Sequence, residues 1–168
     1  TYSYGTKKEF EPDFYLESTS QEIADGHFVN SGKVIKKDQS EVAIKSNLSG
    51  TYNMLNFTAV FGLCKALGLE ENKVLECMSS YDGMKRRQEV IFDGKAFGGE
   101  KFITVIDDYA HHPTAVIETL KGLREKFGTR RFIVAFELGS NSSTKRVFEE
   151  MYASAFTNAD LVRLRIIP

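Results

Sequence analysis

Neither sign of charge dominates this chain of 168 residues: 22 basic side chains face 23 acidic ones, for a net charge of −1. No basic stripe runs along any predicted helix, which argues against a nucleic-acid partner gripped through its phosphates. No apolar run approaches the roughly 20 residues that a membrane-spanning helix needs, and Thr1-Tyr2-Ser3-Tyr4 opens no signal-peptide pattern. These absences predict a cytoplasmic chain with no membrane partner. Cysteine is scarce: Cys64 and Cys77 lack CxxC spacing and fall in helix-like stretches, so buried free thiols in a reducing compartment are expected. The phosphate-cradling pattern GxxxxGK[ST] is missing, so nothing here holds a triphosphate in that manner. There is no initiator Met, and the chain stops at Ile166-Ile167-Pro168 as a predicted strand finishes, which suggests an excised fragment.

What is present, 42% apolar residues, suffices for one ordinary core or two small ones. To about Ser46 polar and apolar residues alternate. Phe14-Tyr15-Leu16, His27-Phe28-Val29, Lys33-Val34-Ile35 and Val42-Ala43-Ile44 read as short antiparallel strands, with turns at Asp25-Gly26 and Ser31-Gly32. After a polar loop at 47–51, a helix is predicted from 53 to 67, with Leu55, Ala59, Phe61, Leu63 and Ala66 as its apolar positions and Gly68 as its end. A second helix follows at 71–80. Asp82-Gly83 breaks the chain, and a domain boundary is placed between 82 and 90. Beyond it come strands at 88–92 and 101–106, then a helix at 115–124, a strand at 131–137, a helix at 145–156 and a strand at 160–166. The 101–106 strand reads as buried, and Ile133-Val134-Ala135-Phe136 is a continuous apolar run. This alternation argues for a parallel α/β sheet.

Four constellations could carry chemistry. Asn53 and Asn56, three apart, share one face near a helix start, and their carboxamides offer the donor and acceptor that an adenine edge requires. The alternative is that Asn53 caps the helix and Asn56 is solvated. Lys85-Arg86-Arg87 could pair with polyphosphate oxygens or form a solvated basic turn. Asp107-Asp108-Tyr109-Ala110-His111-His112-Pro113-Thr114 sits at a strand-to-helix turn, where α/β sheets usually bind ligands. There Asp108 could accept from ribose hydroxyls and His111 could reach the same sugar or a phosphate. A metal site is a rival, although adjacent imidazoles diverge and no further His or Cys cluster supplies ligands; a turn braced by Asp108 is another. Finally, Glu137-Leu138-Gly139-Ser140-Asn141-Ser142-Ser143 follows a strand at what should be the same sheet edge. It could hold a polar ligand or cap the next helix.

Thr51-Tyr52-Asn53-Met54-Leu55-Asn56 with Ala59, then Tyr81-Asp82-Gly83-Met84-Lys85-Arg86-Arg87-Gln88-Glu89-Val90, then 107–114, stand in the order and spacing of the Mur ligases, which the whole chain resembles. The resemblance is closest to the murein peptide ligase branch, with Ala110 and Ala115 as its markers; the UDP-N-acetylmuramate–L-alanine ligases are the near relatives. Leu138-Gly139 departs from that branch, which carries Pro-Arg there, and Lys145 or Arg146 would compensate.

The resemblance implies an α/β fold. Residues 1–88 would be the end of a central ATP-binding domain, strands plus two helices, and 89–168 the first part of a Rossmann-like C-terminal domain. It implies ATP, with Mg²⁺ ligands outside this chain, and UDP-N-acetylmuramate and a murein tripeptide as partners. The two substrates would be joined through an acyl phosphate in cell-wall recycling. Asn53 and Asn56 would line the adenine pocket, Arg87 would meet ATP phosphate, Asp108 the ribose and His111 the nucleotide. His112, Ser140 and Asn141 would face the peptide. No residue within the chain is assigned a catalytic role, and the chain alone is expected to be inactive. Apolar surface exposed at its ends would favour a homodimer. L-alanine ligation, a non-catalytic nucleotide-binding module and a metal-dependent phosphoesterase using Asp108, His111 and His112 are the alternatives.

Overall fold

The computed structural model describes residues 2–24, 27–96, 98–138 and 146–166. They form a mixed α/β protein of two compact units, Thr1–Asp82 and Gly83–Pro168.

In the first unit, strands β1 (Tyr4–Gly5), β2 (Phe14–Ala24), β3 (His27–Lys36) and β4 (Glu41–Ser46) form one sheet in that order. β1 runs parallel to β2, while β2–β3 and β3–β4 are antiparallel. Burial alternates along β4, with Val42, Ile44 and Ser46 inward and Glu41, Ala43 and Lys45 outward. That is the period-2 signature of a half-covered strand. Helices α1 (Thr51–Ala66) and α2 (Glu71–Ser79) cover the apolar face. Phe14, Leu16, Val34, Val42 and Ile44 from the sheet meet Met54, Phe57 and Phe61 of α1 and Val74 and Met78 of α2 in one core.

Three details differ from expectation. Ser31-Gly32 is not a turn: Gly32 pairs with Thr19 and Ile44 inside β3, so two expected strands are one. A Cβ there would stand 3.0 Å from Leu16 Cδ1 and 3.2 Å from Met54 Sδ, so the glycine serves close approach of α1 to the sheet. Secondly, α1 buries Met54, Phe57, Thr58, Phe61 and Gly62. Of the five positions expected only Phe61 is fully buried, and Leu63 is 61% exposed. The helix is apolar around most of its girth, so periodicity does not choose a face. Gly62 does, because it admits the Phe14 ring to within 2.7 Å of where a Cβ would be. Thirdly, Cys64 is half-buried and Cys77 exposed, so the thiols are free but not both hidden. Gly68, at φ 74°, follows the end of α1 as predicted. The expected Asp25-Gly26 turn lies outside the described residues.

The second unit contains β5 (Glu89–Lys95), β6 (Phe102–Asp107), α3 (Pro113–Phe127), β7 (Ile133–Leu138), α4 (Glu149–Ala155) and β8 (Leu161–Ile166), with a short 3₁₀ turn at Arg146–Phe148 before α4. β7 and β8 pair in parallel, as the alternating pattern requires. Among the described residues β6 pairs with β5, antiparallel and with a bulge between Val90 and Phe92, rather than with β7. Among the described residues the expectation of one parallel sheet is corrected accordingly, and the 137–143 turn lies largely outside them. Nor are the two apolar runs buried throughout: Phe102 is 58% and Ile133 62% exposed. β7 is covered on one face only, where Val134 and Phe136 lie against a core of Val116, Leu120 and Ala155.

Arg124 ties this unit's far end. Its Nη1 donates to the Gly128 and Arg130 carbonyls, and its Nη2 to the Asn158 carbonyl and Asp160 Oδ2 at 3.0 Å. The Phe132 N–H also donates to Asp160, at 2.7 Å. That backbone bond first, then Arg124, holds the Asp160 carboxyl below its usual range. Among the described residues no helix is long and apolar enough to cross a membrane.

Candidate functional site

In the first unit the candidates stand where the loop after β4 enters α1. Gly50, at φ 91°, precedes the helix, so Asn53 lies within the first turn rather than at the cap. Its Nδ2 donates to the Ser49 carbonyl at 2.7 Å, which leaves an acceptor oxygen on the other side of the amide. Asn56, one turn on, is exposed. Behind them Asn30, fully buried in β3, donates from Nδ2 to the Leu48 carbonyl at 3.0 Å and the Gly50 carbonyl at 3.2 Å. Three consecutive carbonyls, 48 to 50, are thus held by carboxamides, which fixes the helix start from both sides. Sequence reasoning missed Asn30; the signal was a carboxamide in mid-strand after Phe28-Val29, which once buried must find partners.

In the second unit the segment before β5 and the turn after β6 form a second group. Arg86 and Gln88 hold φ at 58° and 50°, the left-handed region, on either side of Arg87. The Arg86 N–H donates to Glu89 Oε2 at 2.8 Å and the Gln88 N–H to Asp108 Oδ2 at 2.8 Å, while the Tyr109 N–H donates to the Arg86 carbonyl at 2.8 Å. Arg86 Nε lies 3.4 Å from Asp107 Oδ2. Both guanidinium groups lie near the Tyr109 ring, 4.9 Å from its centroid for Arg86 and 5.7 Å for Arg87, as cation–π pairs do.

Asp108 is half-buried and braces this turn. Besides the Gln88 N–H, its carboxylate accepts the Ala110 N–H at 2.7 Å and the Thr119 hydroxyl at 3.4 Å. The two imidazoles part company. His111 is exposed, its Nδ1 3.0 Å from the Tyr109 carbonyl oxygen and its ring edge-on to Tyr109 at 5.0 Å. His112 is half-buried just before Pro113 opens α3, and its ring meets Phe148 at 5.1 Å. The Tyr152 hydroxyl donates to the His111 carbonyl and so ties α4 to the turn. Among the described residues no three His, Cys, Asp or Glu groups gather as a metal cluster would require. Ser140 and Asn141 lie outside the described residues; just before them Glu137 Oε2 pairs with Arg165 Nη1 at 3.4 Å on an exposed face.

The arrangement therefore offers carboxamides at a helix start in one unit, and in the other two guanidinium groups, an aromatic ring and an imidazole on a braced turn. Within each unit the chemistry is separate: the carboxamides of the first match the edge of a base, and the guanidinium groups of the second match phosphate.

The fold is shared with solved ligases of α/β class. The UDP-N-acetylmuramate–alanine ligase of Thermotoga maritima superposes with a TM-score of 0.78 at 28% identity, over 99% of this chain and 34% of that one. The murein peptide ligase of Psychrobacter arcticus does so with a TM-score of 0.60 at 27% identity, over 96% of this chain and 31% of that one. Residues 86–164 match the family Mur ligase, glutamate ligase domain. The UDP-N-acetylmuramate–L-alanine ligase of Desulforamulus reducens is 36% identical over 136 residues, 81% of this chain and 28% of that protein. The chain belongs to the Mur ligase family, and it spans about a quarter of the length of the curated relatives it matches.

Proposed function

We propose that this chain supplies the adenosine and phosphate side of the nucleotide site in an ATP-dependent ligase of the cytoplasm, one that joins L-alanine to UDP-N-acetylmuramate in peptidoglycan-precursor synthesis. Residues 1–88 close its central ATP-binding domain and 89–168 begin its C-terminal domain. Asn53 and Asn56 meet the adenine edge, Arg87 the phosphates, and His111 approaches the nucleotide beside Asp108. The observation that carries this reading is the segment with left-handed Arg86 and Gln88 that presents Arg87 beside Tyr109, whose ring in turn meets His111. A paired cation on a fixed backbone is suited to a polyanionic ligand. Mg²⁺ is expected to accompany ATP, with its ligands outside this chain.

L-alanine is preferred as the acceptor because the relatives reported above at 36% identity and at TM-score 0.78 carry that activity in their names. Murein tripeptide is the second reading. Ala110 and Ala115 favour it, as does the likeness to the Psychrobacter arcticus protein. His112 and the loop with Ser140 and Asn141 would then face the peptide. The deciding experiment is ligation by the full-length protein that carries this chain, given ATP, UDP-N-acetylmuramate and either L-alanine or the tripeptide. Faster turnover with L-alanine is expected; a preference for tripeptide would move the protein to the second reading, and no ligation of either would end both.

A further inference from the structure

Arg86 and Gln88 are two of four non-glycine residues with positive φ among the described residues, and they flank Arg87. An L side chain in that region crowds its own backbone, so such a pair persists only where surrounding bonds over-determine it. Two carboxylates supply those bonds. Glu89 takes the Arg86 N–H and Asp108 takes the Gln88 N–H, each at 2.8 Å, and a charged acceptor roughly doubles the strength of such a bond. The Tyr109 N–H closes the bracket on the Arg86 carbonyl.

We propose that Glu89 and Asp108 are positioning residues whose carboxylates lock the backbone on both sides of Arg87 and so set where its guanidinium meets a nucleotide phosphate. The inference rests on the nucleotide reading above and gives Glu89 a role in it. It also changes the role of Asp108. A carboxylate that accepts the Gln88 and Ala110 amides and the Thr119 hydroxyl acts on the protein's own backbone, whatever it also offers a ligand. Without the bracket Arg86 and Gln88 relax to negative φ, and Arg87 leaves its direction.

Glycine adopts the left-handed conformation without a Cβ penalty, and this makes the idea separable from direct ribose binding. In the full-length ligase, Asp108→Ala should raise KM for ATP roughly tenfold, the scale of one strained residue. Adding Gln88→Gly should return most of that loss. No rescue by glycine would overturn the proposal. A wild type that does not use ATP would instead sink the nucleotide reading itself. Should Asp108→Ala fail to fold, Glu89 carries the test by amide exchange in this 168-residue chain. Glu89→Gln keeps an acceptor and should preserve protection of the Arg86 amide, whereas Glu89→Ala should abolish it. Equal protection in both would overturn the bracket.

Discussion

Asn53 and Asn56 ride on a helix whose Met54, Phe57 and Phe61 are sunk into a core shared with three strands and a second helix. Arg87, Asp108 and His111 sit on turns, and among the described residues the buried cluster of Val116, Leu120 and Ala155 meets the second of these turns through Ala110. One unit holds its candidate residues by packing, the other by bonds between carboxylates and backbone amides. Packing tolerates loss of single polar contacts but not loss of volume. A hydrogen-bonded turn has the opposite weakness, since each unmet buried amide or carbonyl is felt individually. The difference predicts which substitutions damage fold and which damage only the site.

The largest effect should come from Phe61→Ala. Its ring is fully buried and stands edge-on to Phe14 at 5.9 Å. Removing it should cost about 3–5 kcal/mol, read as a shift of the first unit's denaturant midpoint. A cost under about 1 kcal/mol would show that this core is not what holds α1. Leu120→Ala comes next, at about 2–3 kcal/mol for the second unit, because its smaller cluster can close around the gap. If it cost more than Phe61→Ala, the contrast between the units would fail.

Tyr152→Phe should cost the second unit about 1 kcal/mol by leaving the His111 carbonyl without its donor. An unchanged thermal midpoint would mean that water replaces the hydroxyl freely. The smallest effect concerns acid. The folded-state pKa of Asp160 lies below its ordinary value, so its bonds to the Phe132 amide and Arg124 contribute fully above about pH 4 and fade as pH falls through the folded value. Asp160→Asn lacks that contribution at every pH, so its stability curve should meet the wild type's in acid and fall below it at neutral pH. Parallel curves throughout would remove the assignment.

The sequence was most legible where one residue type served one local need. The ends of α2, Gly68 after α1 and the parallel β7–β8 pair all follow from spacing and turn chemistry. It was least legible where tertiary contacts chose between equal local options. Gly32 looks like a turn residue until Leu16 and Met54 are seen against it, and α1 offers several apolar faces of which Gly62 selects one. Likewise β6 carries the pattern of a buried parallel strand, yet its partner is the adjacent β5. In the candidate site the residue types were readable, but their partners were not. Asp108 looked able to hold a sugar or to brace a turn, and only the position of the Gln88 amide, 20 residues earlier, shows the bracing. Asn30 gave no periodic signal because its role depends on a loop 18 to 20 residues away.

The most direct test of the proposed nucleotide site is the KM for ATP of Asn56→Ala in the full-length protein that carries this chain. Asn56 is exposed, so its loss should leave folding intact. KM should rise about tenfold, with kcat and the thermal midpoint unchanged, as expected when a base-edge contact made equally in ground and transition states is removed. An unchanged KM would contradict the placement of adenine at the start of α1.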